Sequence, residues 1–290
     1  AVLGGAVVTA GPPEHPGLVI AAAGGGRTDG GGSYDPLREK LRPGWLPDGW
    51  NYRSVTNTTS HQSISVSRLV RDPSDREKYP LDWDLTINLY RPHTDPVTDG
   101  PDHPRFGAGT RVDPVQGLAA EEMTNPNKDM YTLAWAYPSG AHGMATVTLG
   151  GTRSMSDAPE MARHAAETLQ VDGTAQLRFP YVFSPPTGEH VTRASTKWTH
   201  FPGLPVTIDA RVGFAGPREH SPWWKSMVLA DSDSASYKTQ RSAEWACDPH
   251  RHGFALMVHD LSRHAPSVFD SVRIFGSPRD MSDWRPNPVR

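Results

Sequence analysis

Apolar and polar residues alternate along several stretches of the chain. Ile64 and Val66, then Leu85, Ile87 and Leu89, stand with polar neighbours between them, the period-two signature of half-buried strands. Two antiparallel strands facing one core account for both runs. A third alternation follows further on: Thr132 to Tyr137 reads as a strand, Pro138-Ser139-Gly140 as a turn, and His142 to Leu149 as the returning strand. In that return Met144, Thr146 and Thr148 share one face, and Ala145, Val147 and Leu149 share the other.

Helical signals are fewer. Asp157-Ala158-Pro159-Glu160 supplies a cap, an early proline and an acidic residue suited to the helix dipole, ahead of the stripe Met161, Ala165, Thr168 and Leu169. Ala265-Pro266 opens a second helix carrying Val268, Phe269, Val272 and Phe275. A short amphipathic helix is also expected from Asp35 to Leu41, with Asp35 as cap, Pro36 in the first turn and Leu37 and Leu41 four apart. From Arg91 to Pro114, proline, glycine and aspartate forbid regular structure and predict a long surface excursion, a candidate binding loop.

The segment LAWAYPSGAHGMATVTL, residues 133 to 149, recurs at residues 243 to 259 as AEWACDPHRHGFALMVH. Aligned without a gap, Trp135, Ala136, His142, Gly143 and Ala145 match Trp245, Ala246, His252, Gly253 and Ala255. Leu41-Arg42 followed by Leu46-Pro47-Asp48-Gly49 parallels Leu177-Arg178 followed by Ser184-Pro185-Pro186-Thr187-Gly188, and residues 206 to 212 parallel residues 85 to 90. The fold class that follows is α+β: a tandem duplication of an antiparallel sheet packed against a C-terminal helix. Residues 1–34 form a flexible Gly-rich linker whose apolar start fits the end of a signal or anchor segment. Residues 35–173 form the first repeat and 174–276 the second, each with its own core. Residues 277–290 form an extended tail whose Trp284 docks on the body.

Composition narrows the function classes. Over 290 residues the net charge is −3, so the basic footprint of a nucleic-acid binder is missing and no nucleic-acid partner is expected. The single cysteine, Cys247, excludes an intrachain disulfide framework and a cysteine-rich zinc site. No run of about 18 apolar residues occurs, so contact with a membrane is expected only through an N-terminal anchor. A Gly-x-Ser-x-Gly elbow and a phosphate-binding glycine loop are both absent from the sequence; no catalytic residue and no cofactor are predicted.

Candidate chemistry sits in a few side chains. Asp248, His250 and His252 are the metal candidates, since three nitrogen or oxygen ligands plus water is the count of a catalytic zinc. The gapless alignment sets residues 248 to 250 against Pro138-Ser139-Gly140 and so reads them as a hairpin turn instead. His142 and His252, alike placed in both copies, are candidate binding residues because imidazole titrates near neutrality. Trp223 and Trp224 are candidates too, because a strand would expose one of two adjacent aromatics. Trp135 and Trp245 read as core fillers, and Asn57-Thr58-Thr59 fits a glycosylation acceptor.

Leu46-Pro47-Asp48-Gly49 and, later, Trp135-Ala136-Tyr137-Pro138-Ser139-Gly140 approximate a Leu-Pro-x-Gly and Trp-x-x-x-Pro-x-Gly pattern. In this the chain resembles membrane-tethered extracytoplasmic proteins of high-GC Gram-positive bacteria, the lipoprotein and anti-sigma-factor-like ectodomains. The resemblance spans residues 35 to 276, and the second copy departs from it at Ser184-Pro185-Pro186-Thr187-Gly188 and Asp248-Pro249. It implies a non-catalytic extracytoplasmic binding or sensory module, tethered to the cell envelope, whose partner is a protein or envelope ligand. Two alternatives stay open: a metal-dependent hydrolase with a site between the repeats, using His250, His252 and His259, and a structural component of the cell envelope.

Overall fold

Strands β2 (Tyr52–Thr58), β3 (His61–Leu69) and β4 (Leu81–Tyr90), following a short β1 (Arg38–Arg42), form an antiparallel meander. Ile64 lies opposite Ile87 and Val66 opposite Leu85, the pairing that the alternation predicts. The computed structural model describes residues 34–70, 80–94, 106–107, 109–123, 129–150, 155–201, 205–215, 225–231, 240–242, 245–251, 254–260 and 265–290.

The first half continues with β5 (Thr110–Val115), β6 (Leu118–Met123), β7 (Met130–Ala136), β8 (His142–Leu149), α1 (Ala158–Thr168) and β9 (Gln170–Gln176). The second comprises β10 (Arg178–Phe179), β11 (Tyr181–Val182), β12 (His190–Thr199), β13 (Thr207–Ala215), β14 (Lys225–Asp231), β15 (Gln240–Arg241), β16 (Trp245–Arg251), β17 (Phe254–Asp260), α2 (Ala265–Ser271) and β18 (Arg273–Ile274). A last short strand, β19 (Arg285–Pro286), lies in the tail.

Thirteen of these strands form one antiparallel sheet in the order β15-β16-β17-β14-β13-β12-β2-β3-β4-β8-β7-β6-β5. The order reads alike in both directions from the central pair β2·β12. Each way there is a three-strand meander, and a hairpin then lays its second strand against the meander's outer strand. Both helices cover one face, α1 over β7 and β8 and α2 over β16 and β17. On that face the ribbon β1·β9 lies over the first half, while β10·β19 and β11·β18 bring the tail and the chain after α2 onto the second.

Instead of a core for each half, the main apolar cluster is shared, running from Ile87 and Trp135 to Phe254 and Val268, with two small clusters on the opposite face. Helix α1 approaches the sheet closely because it buries only alanines, Ala158, Ala162, Ala165 and Ala166. Asp157 stands at its N-cap without a side-chain cap bond.

Four expectations are corrected. The segment expected as a helix from Asp35 is a turn leading into β1: Asp35 Oδ1 accepts from Leu37 N at 2.9 Å, and the Arg38 carbonyl accepts from Asn57 Nδ2 and Gln62 Nε2. Buried amides on the sheet thus capture the backbone before a helix can close. Asn57 is only 1% exposed, so its side chain offers no glycosylation acceptor. The expected excursion up to Pro114 contains β5, whose hairpin with β6 turns at Gln116 and Gly117, both with positive φ (51° and 77°). Pro114 is tolerated there because β5 is the sheet edge.

The fourth correction concerns the repeated tryptophan hairpin. Trp135 lies opposite Gly143, but Trp245 lies opposite His259. Ala145 faces the common core, whereas Ala255 neighbours core-facing Leu256 and points the other way. Arg251 pairs with Phe254, leaving 252 and 253, which lie outside the described residues, between them. Asp248-Pro249-His250 is therefore part of strand β16 with an irregular register, not the turn that the gapless alignment makes of it. Residues 206 to 212 likewise belong to the second strand of their meander, the position of β3 rather than of β4.

Candidate functional site

The central strands β2 and β12 run antiparallel, Arg53 opposite Trp198 and Val55 opposite Thr196. These four side chains point to the helix-bearing face and form the floor of a groove. One wall is the β1·β9 ribbon with Glu39, Ala175 and Gln176; the other is the tail, with Met281 and buried Trp284. Trp284 is fixed by donating its Nε1 to the Pro278 carbonyl at 2.8 Å. Two hollows share Arg53, Trp198 and Met281: an inner one of about 250 Å³ that includes Glu39, Thr196 and Arg178, and an outer one of about 400 Å³ walled by Trp50, Val206 and Arg279.

Composition divides the groove. Trp50 and Trp198 meet edge to face at 5.6 Å in the outer hollow, an arrangement that fixes both indoles as an apolar wall. Around the floor stand three arginines, Arg53, Arg178 and Arg279, against one carboxyl, Glu39. Arg53 Nε is buried without a hydrogen-bond partner. Burial pushes the Glu39 carboxyl above its ordinary pKa, with Arg53 and Arg42 pulling the other way. Arg279 is held by donating its Nε to the Val206 carbonyl at 3.0 Å.

Of these groove residues the sequence singles out only Trp284, as the tail residue that docks on the body. Arg53 did leave a signal, since it shares period-two parity with core-facing Val55 and buried Asn57. A charged residue at an inward position of a strand has to face something polar.

The candidate site residues that the sequence singled out lie elsewhere. His142 begins β8 on the opposite face, stacked on Phe106 at 4.1 Å. Tyr90 lies across from both His61 and His142, and the ring contacts run from His61 through Tyr90 and Phe106 to His142. Together with Trp135, Arg111 and Glu121, His142 lines a further hollow of about 450 Å³ near the β5 edge. His252, Trp223 and Trp224 lie outside the described residues. His250 is in β16, and Asp248 in the same strand lies opposite Leu256. Leu256 points to the core, so Asp248 and His259 occupy opposite faces of the sheet and cannot share a metal. Among the described residues no three His, Cys, Asp or Glu side chains converge on a metal-sized site. No helix of the described residues is long and apolar enough to cross a membrane.

No protein-family model, curated protein or solved structure matches the chain.

Proposed function

We propose that the protein is a non-catalytic extracytoplasmic binding module, tethered to the cell envelope, that holds a small ligand in the groove over β2 and β12. The observation that carries this reading is the meeting of two hollows around Arg53, Trp198 and Met281, where both halves and the tail contribute. Concave, mostly apolar sites with a few convergent polar groups are where proteins bind small molecules. The likeness of the strand order on either side of β2·β12 supports a tandem duplication, the ligand sitting where the copies join. The envelope location is supported by the Leu46-Pro47-Asp48-Gly49 resemblance.

Titration with 1-anilinonaphthalene-8-sulfonate, followed by its own fluorescence, tests the groove. Saturable binding is expected, weakened about ten-fold or more by Trp198→Ala. Lys197→Ala, on the opposite face of the same strand, leaves it unchanged. Equal affinity in the wild type and in Trp198→Ala rejects the groove as the site.

A further inference from the structure

We infer that the ligand is an anionic amphiphile, a molecule with one acidic head and one apolar chain, with its head in the inner hollow on Arg53 and its chain along Trp50, Trp198 and Met281. This rests on the groove as the binding site and adds the ligand's chemical class. The hollows differ in the way such a molecule differs along its length. The inner one ends on a guanidinium whose Nε is buried without an acceptor, and a desolvated donor left in that state is costly. A carboxylate or phosphate oxygen supplies the acceptor, and charge-assisted bonds to guanidinium are among the strongest available.

Glu39 does not serve in that role, since Arg53 Nε has no partner although Glu39 lines the same hollow. The three arginines outweigh that one carboxyl, so the groove selects negative charge. A cationic head in the inner hollow would meet Arg53 and Arg178. The outer hollow is the more apolar of the two. Two indoles, Val206 and the Met281 side chain wall it, with Arg53 and Arg279 at its edges. The unbranched thioether of Met281 adapts to chains of different shape.

The full chain is titrated with decanoate, decanol and decyltrimethylammonium below their aggregation concentrations, read by tryptophan emission and calorimetry. Decanoate is expected to bind at one site, at least about ten-fold tighter than decanol. The ammonium is expected to bind weakest, and Arg53→Gln is expected to remove the preference for the acid. Arg178→Gln and Arg279→Gln, at exposed positions, each weaken decanoate several-fold and serve if Arg53→Gln disturbs folding. If decanol binds as well as decanoate and the arginine variants change nothing, the anionic class is overturned while the groove stands as an apolar site. If none of the three binds, or if Trp198→Ala leaves all three affinities unchanged, the groove itself is overturned and the ligand class with it.

Discussion

The sheet around β2 and β12 carries two polar surfaces back to back, and their charged groups are answered differently. On the face away from the helices, Asp84 accepts from Ser65 and Ser67 Oγ at 2.7 and 2.5 Å and from Thr86 Oγ1 at 2.8 Å. Asp209 takes both arms of the Arg211 fork, at 2.7 and 2.5 Å. Those groups satisfy one another. On the helix-bearing face Arg53 is half-buried beside Trp50 and Trp198, and its Nε has no acceptor. A surface rich in serine, threonine and charge is thus not a binding site by composition; the groove is the candidate because its chemistry is incomplete.

The largest test of this contrast is steric and lies on the core side. The Trp135 indole covers Gly143 so closely that a Cβ there would overlap the ring, and Trp135 is only 2% exposed. Gly143→Ala is expected to cost about 3 kcal/mol or more. That corresponds to a fall in Tm of about 5 °C for a chain of this size. A thermal melt within about 2 °C of wild type would show the indole free to relocate and the core face less rigid than the comparison requires.

The same pair shows what was legible in the sequence. Alternation located β3, β4, β7 and β8 and their faces because one side of each packs against the core. The shared Trp-Ala and His-Gly words misled, because strand pairing sets Trp135 against Gly143 but Trp245 against His259. Identical words met different local demands, and only strand pairing distinguishes them. The groove was illegible for a related reason: Glu39, Arg53, Trp198 and Met281 are distant in sequence, and it takes the β2·β12 pair and the docked tail to assemble them.

A middle-sized effect belongs to the opposite face. His61 is held by Thr58, with Oγ1 to Nδ1 at 3.0 Å, and stacks on Tyr90. Burial, then the nearby Arg193 charge, lowers its pKa from 6.5 to about 4. A folded value below the unfolded one means that stability is present above about pH 6.5 and is lost as pH falls toward about 4. The loss is at most about 3 kcal/mol, less where solvent screens the ring. Urea unfolding at about pH 7 and about pH 4.5 is expected to show a steeper acid loss in wild type than in His61→Gln. Equal losses would mean that the ring takes up its proton freely and that this face is more open than it looks.

The smallest effect has the opposite sign, and it comes from the groove. Glu39 is raised by burial despite Arg53 and Arg42, so its folded pKa exceeds its unfolded one. Its favourable contribution is complete below the ordinary carboxylate range and is lost as pH rises through the folded value. Ionised Glu39 therefore weakens the fold near neutrality. Glu39→Gln is expected to raise Tm at about pH 7 and to leave it unchanged near about pH 3, where wild-type Glu39 is already protonated. Decanoate binding should tighten in the same variant, because the one negative charge beside the bound head is gone. A Tm that falls at neutral pH would make Glu39 a stabilising ion-pair partner of the arginines. The groove would then be as self-satisfied as the face behind it.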